Sequence, residues 1–170
     1  MRIRPSRGDA LALVLPLAVG FTGTVPTARA IPTWYRTLDK PQWNPPDAVF
    51  GPVWTTLYLL MGVALVLVRR AGEDTRRAQL VFGLQLALNT AWSFVFFGNR
   101  DPRGALAVIV LLWSAILVTI VEFGRIRLAA AVLLAPYLAW VSFASVLNVE
   151  IARRNPPRGS SGERDVRRCR

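Results

Sequence analysis

Charged residues in this chain come in short clusters, and between the clusters lie long stretches that contain none. A helix that crosses a bilayer needs about 20 mostly apolar residues. Five charge-free stretches approach or exceed that length, at 10–26, 48–68, 78–98, 105–121 and 128–149. The pattern predicts an all-α integral membrane protein, a five transmembrane helix bundle occupying residues 1–154. The last three connections are short, so neighbouring helices must run antiparallel, up and down.

Turn residues sharpen these boundaries. Asn44 before Pro45 and Pro46 suits a helix start, because a residue preceding Pro is pushed out of the α region while Pro is tolerated in the first turn. Asp101-Pro102 repeats the signal before the fourth span. Gly98 and Gly124 follow the third and fourth stretches, where a left-handed C-cap is expected, and Pro136 is expected to bend the fifth span. The first connection, Thr27 to Asp47, is long and rich in Trp and Pro, a size more typical of functional loops than of filler. Residues 155–170 are polar, basic and rich in Pro, Gly and Ser, and are expected to form a disordered tail.

The first stretch supports two readings. MRIRPSR resembles the basic end of a signal peptide, ALALVLPLAVGF its apolar centre and Ala28-Arg29-Ala30 a small-x-small cleavage site. The same residues also serve as a retained first span.

Composition narrows the class. A chain that is 53% hydrophobic and 18% charged is too apolar for an ordinary soluble domain. A net charge of +11 would suit a nucleic-acid partner, but the Arg clusters flank the apolar runs instead of forming one patch, so no nucleic acid is expected. The 21 Lys and Arg divide almost evenly between the two sides of a five-span protein, and the positive-inside rule gives no clear orientation. The single Cys169 has no partner thiol and the chain has no His, so neither a disulfide nor a metal site is expected.

The spans carry no Asp, Glu, Lys or Arg at their centres, which disfavours a proton relay or an acid–base hydrolase. Glu122 and Glu150 stand at span ends, where snorkelling to the interface is expected. What remains inside is aromatic and amide chemistry. Phe50, Trp54 and Tyr58 share one helix face with Gly62. Gln85, Asn89 and Ser93 share another beside Trp92 and Phe96, and Trp140, Ala144 and Asn148 a third beside Phe143 and Leu147. Gln85 and Ser93 are expected to be interhelical glue, as are the small-residue seams Gly83, Ala87, Ala91 and Ala131, Ala135, Ala139. Trp34 and Trp43 suit an interfacial belt. Trp54, Trp92 and Trp140 lie deeper and suit flat walls for a large planar ligand.

Three blocks in this order, WYRTLDKPQWNPPDAVFGPVWTTLYLLMG from Trp34, LQLALNTAWSFVFF from Leu84 and LLAPYLAWVSFASVLN from Leu133, resemble the TspO/MBR family of tryptophan-rich sensory proteins and translocator proteins. The resemblance implies a retained first helix and a five-helix bundle, usually a homodimer, that binds porphyrins such as protoporphyrin IX or haem beneath its first loop. Some members bind sterols or synthetic ligands. The matching motifs assign Trp54 and Tyr58 to one wall, Asn89 and Trp92 to a second, and Tyr137 and Trp140 to a third. Trp34, Tyr35 and Trp43 come with a lid-like loop.

Together with Phe50, Ala144 and Asn148 these residues make the expected ligand site. Asn89 would meet polar substituents of the ligand, and Arg36 and Lys40 would pair with propionates. With no His, a haem would gain no imidazole ligand from this chain. Animal members carry a sterol-recognition pattern with a Tyr at the end of the fifth helix, and LNVEIARRN here has none. The expected function is a receptor, regulator or carrier of porphyrins with no obligatory cofactor, in a bacterial plasma-type membrane. The alternatives are light-dependent porphyrin breakdown, with Trp54 and Trp140 as the reactive residues, and sterol or lipid transport.

Overall fold

The computed structural model describes residues 6–72 and 74–156. Its five long helices are α1 (Arg7–Ala30), α2 (Asp47–Arg69), α3 (Arg76–Ser93), α4 (Pro102–Ile126) and α5 (Leu128–Arg154). A single 3-10 turn, Trp34–Thr37, sits in the first connection, and a π-helical turn, Phe94–Gly98, prolongs α3. Each span, α3 counted with its π turn, has 23 to 27 residues, or roughly 35–40 Å at 1.5 Å per residue. That exceeds a hydrocarbon core of about 30 Å. The described residues form no strand.

Every helix outruns its charge-free stretch because the charged residues at its ends are helical too. α1 opens with a capping box in which Ser6 and Asp9 satisfy each other's backbone N–H, and it ends with Ala28, Arg29 and Ala30 in its last turn. α4 starts as expected, with Asp101 accepting from the backbone N–H of Arg103 and Gly104 at 3.1 and 2.9 Å. α2 does not start at Asn44. Pro46 occupies the cap position, and Asn44 instead accepts the Tyr35 hydroxyl proton at 2.9 Å while donating to the Pro45 carbonyl.

Neither expected glycine cap is left-handed. After the third span the chain turns at Arg100, with φ of 57°, because the π turn carries the helix through Gly98. Gly124 lies within α4, and α4 passes into α5 through one extended residue, Arg127. α5 runs unbroken through Pro136. Residues 157–170, including Cys169 and most of the expected tail, lie outside the described residues, but Asn155 is bound in place by three side-chain hydrogen bonds.

Around the bundle the packing order is α1, α2, α5, α4, α3 and back to α1. Large apolar side chains such as Leu11, Phe21, Leu80, Leu128 and Val146 face outward, the inverse of a soluble protein and the surface a lipid tail requires. The core is a continuous cluster including Met61, Phe82, Ile116 and Phe123. At the end remote from the first loop, Arg70 binds Asp9 at 2.8 Å. Glu122 does not snorkel: it is buried and held between Arg77 and Arg125 at 3.2 and 2.9 Å. Glu150 pairs with Arg154 at 2.7 Å.

Two glycines set how closely α1 approaches α2. A Cβ at Gly62 would stand 2.6 Å from the Leu13 carbonyl oxygen, and one at Gly20 would clash with the Tyr58 ring. At Gly51, by contrast, nothing lies within 4 Å. Gly62→Val should therefore lower stability by about 1–3 kcal/mol, the usual cost of overpacking a contact that the neighbouring backbone cannot yield. Gly51→Ala should leave stability unchanged or raise it, since Ala is the better helix former. Thermal unfolding of the detergent-solubilised variants measures both, and equal melting temperatures would refute the close approach.

Candidate functional site

The site is built in two storeys. The lower storey is a hydrogen-bonded layer across three helices. The hydroxyl of Tyr58 on α2 donates to Asn89 Oδ1 on α3 at 2.7 Å, and Asn89 Nδ2 donates to the hydroxyl oxygen of Tyr137 on α5 at 3.2 Å. All three are buried. Trp54 stacks on Tyr58, ring centroids 5.5 Å apart, and turns its edge to Tyr137 at 6.2 Å. This arrangement revises two expectations. Asn89, expected to meet a ligand's polar substituents, is engaged through both its oxygen and its nitrogen as the node of this layer. Trp54 packs within the same layer and does not line the cavity above it.

The upper storey is that cavity, closed by the first connection. Of the twelve expected site residues, Tyr35, Phe50, Trp92, Trp140, Ala144 and Asn148 line it. Phe50 and Trp140 meet edge to face at 6.0 Å, and Trp140 continues to Phe143 at 5.5 Å. On the opposite side Trp92 stacks on Phe96 at 5.2 Å. The indole N–H of Trp92 donates to Asn148 Oδ1 at 3.1 Å, and Asn148 Nδ2 donates to the Pro102 carbonyl at 2.7 Å. One amide thus fixes a wall ring and ties α5 to α3 and α4.

Phe97 and Ile151 also line the cavity, and the sequence stripes missed both. Phe97 lies one further step of four beyond Ser93, in the π turn at the end of the third charge-free stretch, and the stripe had been ended at its last polar member. Ile151 lies one turn beyond the last stripe residue, past Glu150, where the charge-free stretch had already ended.

The roof is the loop of residues 31–46. Tyr35 plugs it from above, buried against Phe96 and Phe97. Lys40 donates to the Tyr35 carbonyl at 3.2 Å and lies 4.3 Å over the Tyr35 ring centre. Burial, with the nearby charge of Asp47, pushes the Tyr35 hydroxyl up to about 12, so it is a neutral group throughout the physiological range. Trp34 and Trp43 flank the plug, edge-on to Phe96 and Phe143 at 5.9 and 5.7 Å. Arg36 is exposed on the same loop.

The lining contains no charged side chain, and the described residues contain no cluster of His, Cys, Asp or Glu able to hold a metal. The free space enclosed is only about 30 Å³, against roughly 300–1,000 Å³ in pockets that bury an organic ligand. The rings themselves fill the site. Below it on α3, Gln85 does not act as glue: it is buried and both its amide atoms lack a protein hydrogen-bond partner.

The sequence matches the TspO/MBR family over residues 12–154. It is 47% identical over 150 residues to the tryptophan-rich protein TspO of Chlorobaculum tepidum, covering 86% of this chain and 95% of that protein. It is 39% identical to a tryptophan-rich sensory protein of Cereibacter sphaeroides, covering 86% and 92%. Human translocator protein is 44% identical over 126 residues, 72% of this chain and 75% of its own length.

The lower storey makes a sharp prediction. Asn89→Leu strands two buried hydroxyls and should destabilise the protein by about 1–3 kcal/mol for each one left unpaired. Adding Tyr58→Phe and Tyr137→Phe removes the stranded groups, so the triple variant should be more stable than Asn89→Leu alone. A triple variant that melts lower than the single one would show that the node does not work through hydrogen bonding.

Proposed function

We propose that this chain, which belongs to the TspO/MBR family, is a membrane receptor or carrier for a flat tetrapyrrole such as protoporphyrin IX or haem, bound beneath its first loop. The observation that carries the reading is the lining of the upper storey: rings contributed by the loop, α2, α3 and α5, with one neutral amide and no charge. Flat apolar ligands gain most from such walls, because ring faces and edges stack on them and few polar groups are left unpaired. Arg36 and Lys40 sit on the loop above, where a ligand's carboxylates would emerge toward water.

The closed cavity sets a condition on this reading. A tetrapyrrole enters only if the loop lifts and withdraws Tyr35, and if Trp140 and Phe50 exchange their edge contact with each other for contact with the ligand. Ring-to-ring contact is worth about 0.5–1.5 kcal/mol beyond area burial, so ring-to-ligand contact of the same kind offsets its loss. Haem would gain no imidazole ligand to its iron from this chain, so its recognition would depend more on shape and stacking than on iron. A pair of chains in a homodimer fits the exposed Gly83 and Ala87 on α3, small residues that let helices approach.

The rival reading is light-driven breakdown of a bound porphyrin, in which the porphyrin supplies the photochemistry. Trp140 is then the residue placed to react, since it lines the cavity and Trp54 does not.

Protoporphyrin IX titrated into the detergent-solubilised protein in the dark should quench tryptophan fluorescence saturably. Trp140→Ala should weaken the affinity about tenfold, equivalent to about 1.4 kcal/mol, and Trp54→Ala should weaken it less. Absence of saturable quenching would end the proposal. Illumination of the complex separates the two readings: unchanged porphyrin bands support a receptor or carrier, and protein-dependent bleaching to one product supports an enzyme.

A further inference from the structure

The loop that roofs the cavity is fastened unevenly. Several of its hydrogen bonds are internal, including Tyr35 to Asn44 at 2.9 Å, Lys40 to the Tyr35 carbonyl at 3.2 Å and Thr37 to the Trp34 carbonyl at 2.8 Å. Its aromatic contacts with the bundle are edge-on at Trp34 and Trp43 and tilted at the buried Tyr35, and none of them is a hydrogen bond. Among the described residues, the hydrogen bonds that join residues 34–44 to a distant element all run to one side chain, Asn155 at the end of α5.

That side chain grips the loop backbone as a neighbouring strand would. The Asp39 N–H donates to Asn155 Oδ1 at 3.0 Å, and Asn155 Nδ2 donates to the Asp39 carbonyl at 3.0 Å. The same Nδ2 donates to the Ile151 carbonyl at 2.9 Å, and the Asn155 backbone N–H also reaches Ile151 at 3.1 Å. The grip is therefore anchored on the rigid end of a long helix. It needs a donor and an acceptor in one short group, so a carboxylate of the same shape cannot replace it. The nearby pair of Arg154 with the Asp39 carboxylate, at 3.7 Å and exposed, adds little by comparison.

The loop is also stiff. It contains Pro32, Pro41, Pro45 and Pro46 and no glycine, so its backbone has few alternative conformations. A stiff flap with one polar fastener to the bundle cannot lift and withdraw Tyr35 until that fastener lets go.

We infer that Asn155 is the latch of this flap: release of its two bonds to Asp39 is the step that frees the loop, and the side chain thereby sets how fast a flat ligand enters and leaves. The control of ligand traffic rests on the tetrapyrrole reading above, whereas the control of loop opening does not.

The test uses the full chain in detergent or nanodiscs and begins without ligand. Asn155→Leu removes the latch from the helix side. Asp39→Pro removes one of its bonds from the loop side, and Leu38 before it is already extended, with φ of −73° and ψ of 140°, as a residue preceding Pro must be. Amide hydrogen exchange across residues 34–44 should rise roughly tenfold in both. Asp39→Ala keeps both backbone bonds and should match the wild type. Loop exchange unchanged in Asn155→Leu and Asp39→Pro overturns the latch, and a rise confined to the last turn of α5 in Asn155→Leu does so too.

Stopped-flow quenching by protoporphyrin IX then reads the traffic. Association and dissociation rates should both rise with loop exchange, with a smaller change in Kd. Faster loop exchange with unchanged rates overturns the gating role. If the wild type binds no porphyrin, the ligand reading fails and loop exchange alone decides the latch.

Discussion

The ring of Tyr58 holds the bundle in register. It lies in the notch left by Gly20 on α1, bonds Asn89 on α3 and through it meets Tyr137 on α5, while Trp54 covers its face. Within a bilayer a stray polar group finds no water to satisfy it, so three hydroxyl and amide groups brought to one level must pair with one another. That requirement fixes the depth of α2, α3 and α5 relative to each other. The absence of a side chain at Gly20 then lets α1 close over the back of the ring. α4 joins by a different device, the reach of Asn148 to the Pro102 carbonyl at its first turn, and by the stacked rings of Phe82 and Phe123.

Rigidity below and looseness above follow from the same chemistry. The lower storey is held by directional bonds between buried groups, whose rupture would leave each one unpaired. The roof of the upper storey is held by ring edges, a neutral tyrosine plug and bonds at the surface, where water can take the place of any partner that leaves. Sites that admit ligands are drawn from the less stable parts of a structure. Here the boundary between the two regimes falls between Asn89, whose hydrogen-bonding groups are engaged inside the bundle, and Trp92, one turn further on, whose ring walls the cavity.

Much of this was legible in the sequence for a simple reason: the bilayer demands long apolar helices, and charge-free stretches report them directly. The i, i+4 stripes of Phe50, Trp54 and Tyr58, of Asn89 with Trp92 beside it, and of Trp140, Ala144 and Asn148 likewise point inward, because a helix presents every fourth residue to the same side. What periodicity does not convey is which inward group satisfies which. Asn89 looked available to a ligand and is engaged by two tyrosines. Glu122 looked like an interfacial charge and is enclosed by Arg77 and Arg125, which come from two different helices. Phe97 stands one further step of four beyond Ser93, and was missed because that stripe was followed only as far as its polar members. Asn155 was hidden by composition, since it opens a polar run rich in Pro, Gly and Ser although its own side chain is fully employed.

The contrast between the aromatic cavity and its polar surroundings also bears on selectivity. No charged group faces the cavity, so a ligand gains nothing there from its own charge and everything from breadth and flatness. On the loop, Lys40 is occupied with Tyr35 and Arg36 faces outward. On the proposed tetrapyrrole reading, a planar molecule bearing anionic groups on one edge would be sorted by its face against the bundle and by its edge against the roof. On the same reading a sterol, which lacks the anionic edge, would satisfy only the first of these conditions. On the tetrapyrrole reading, α2, α3 and α5 would set the shape that is accepted, and the loop, fastened through Asn155, would set when it is accepted.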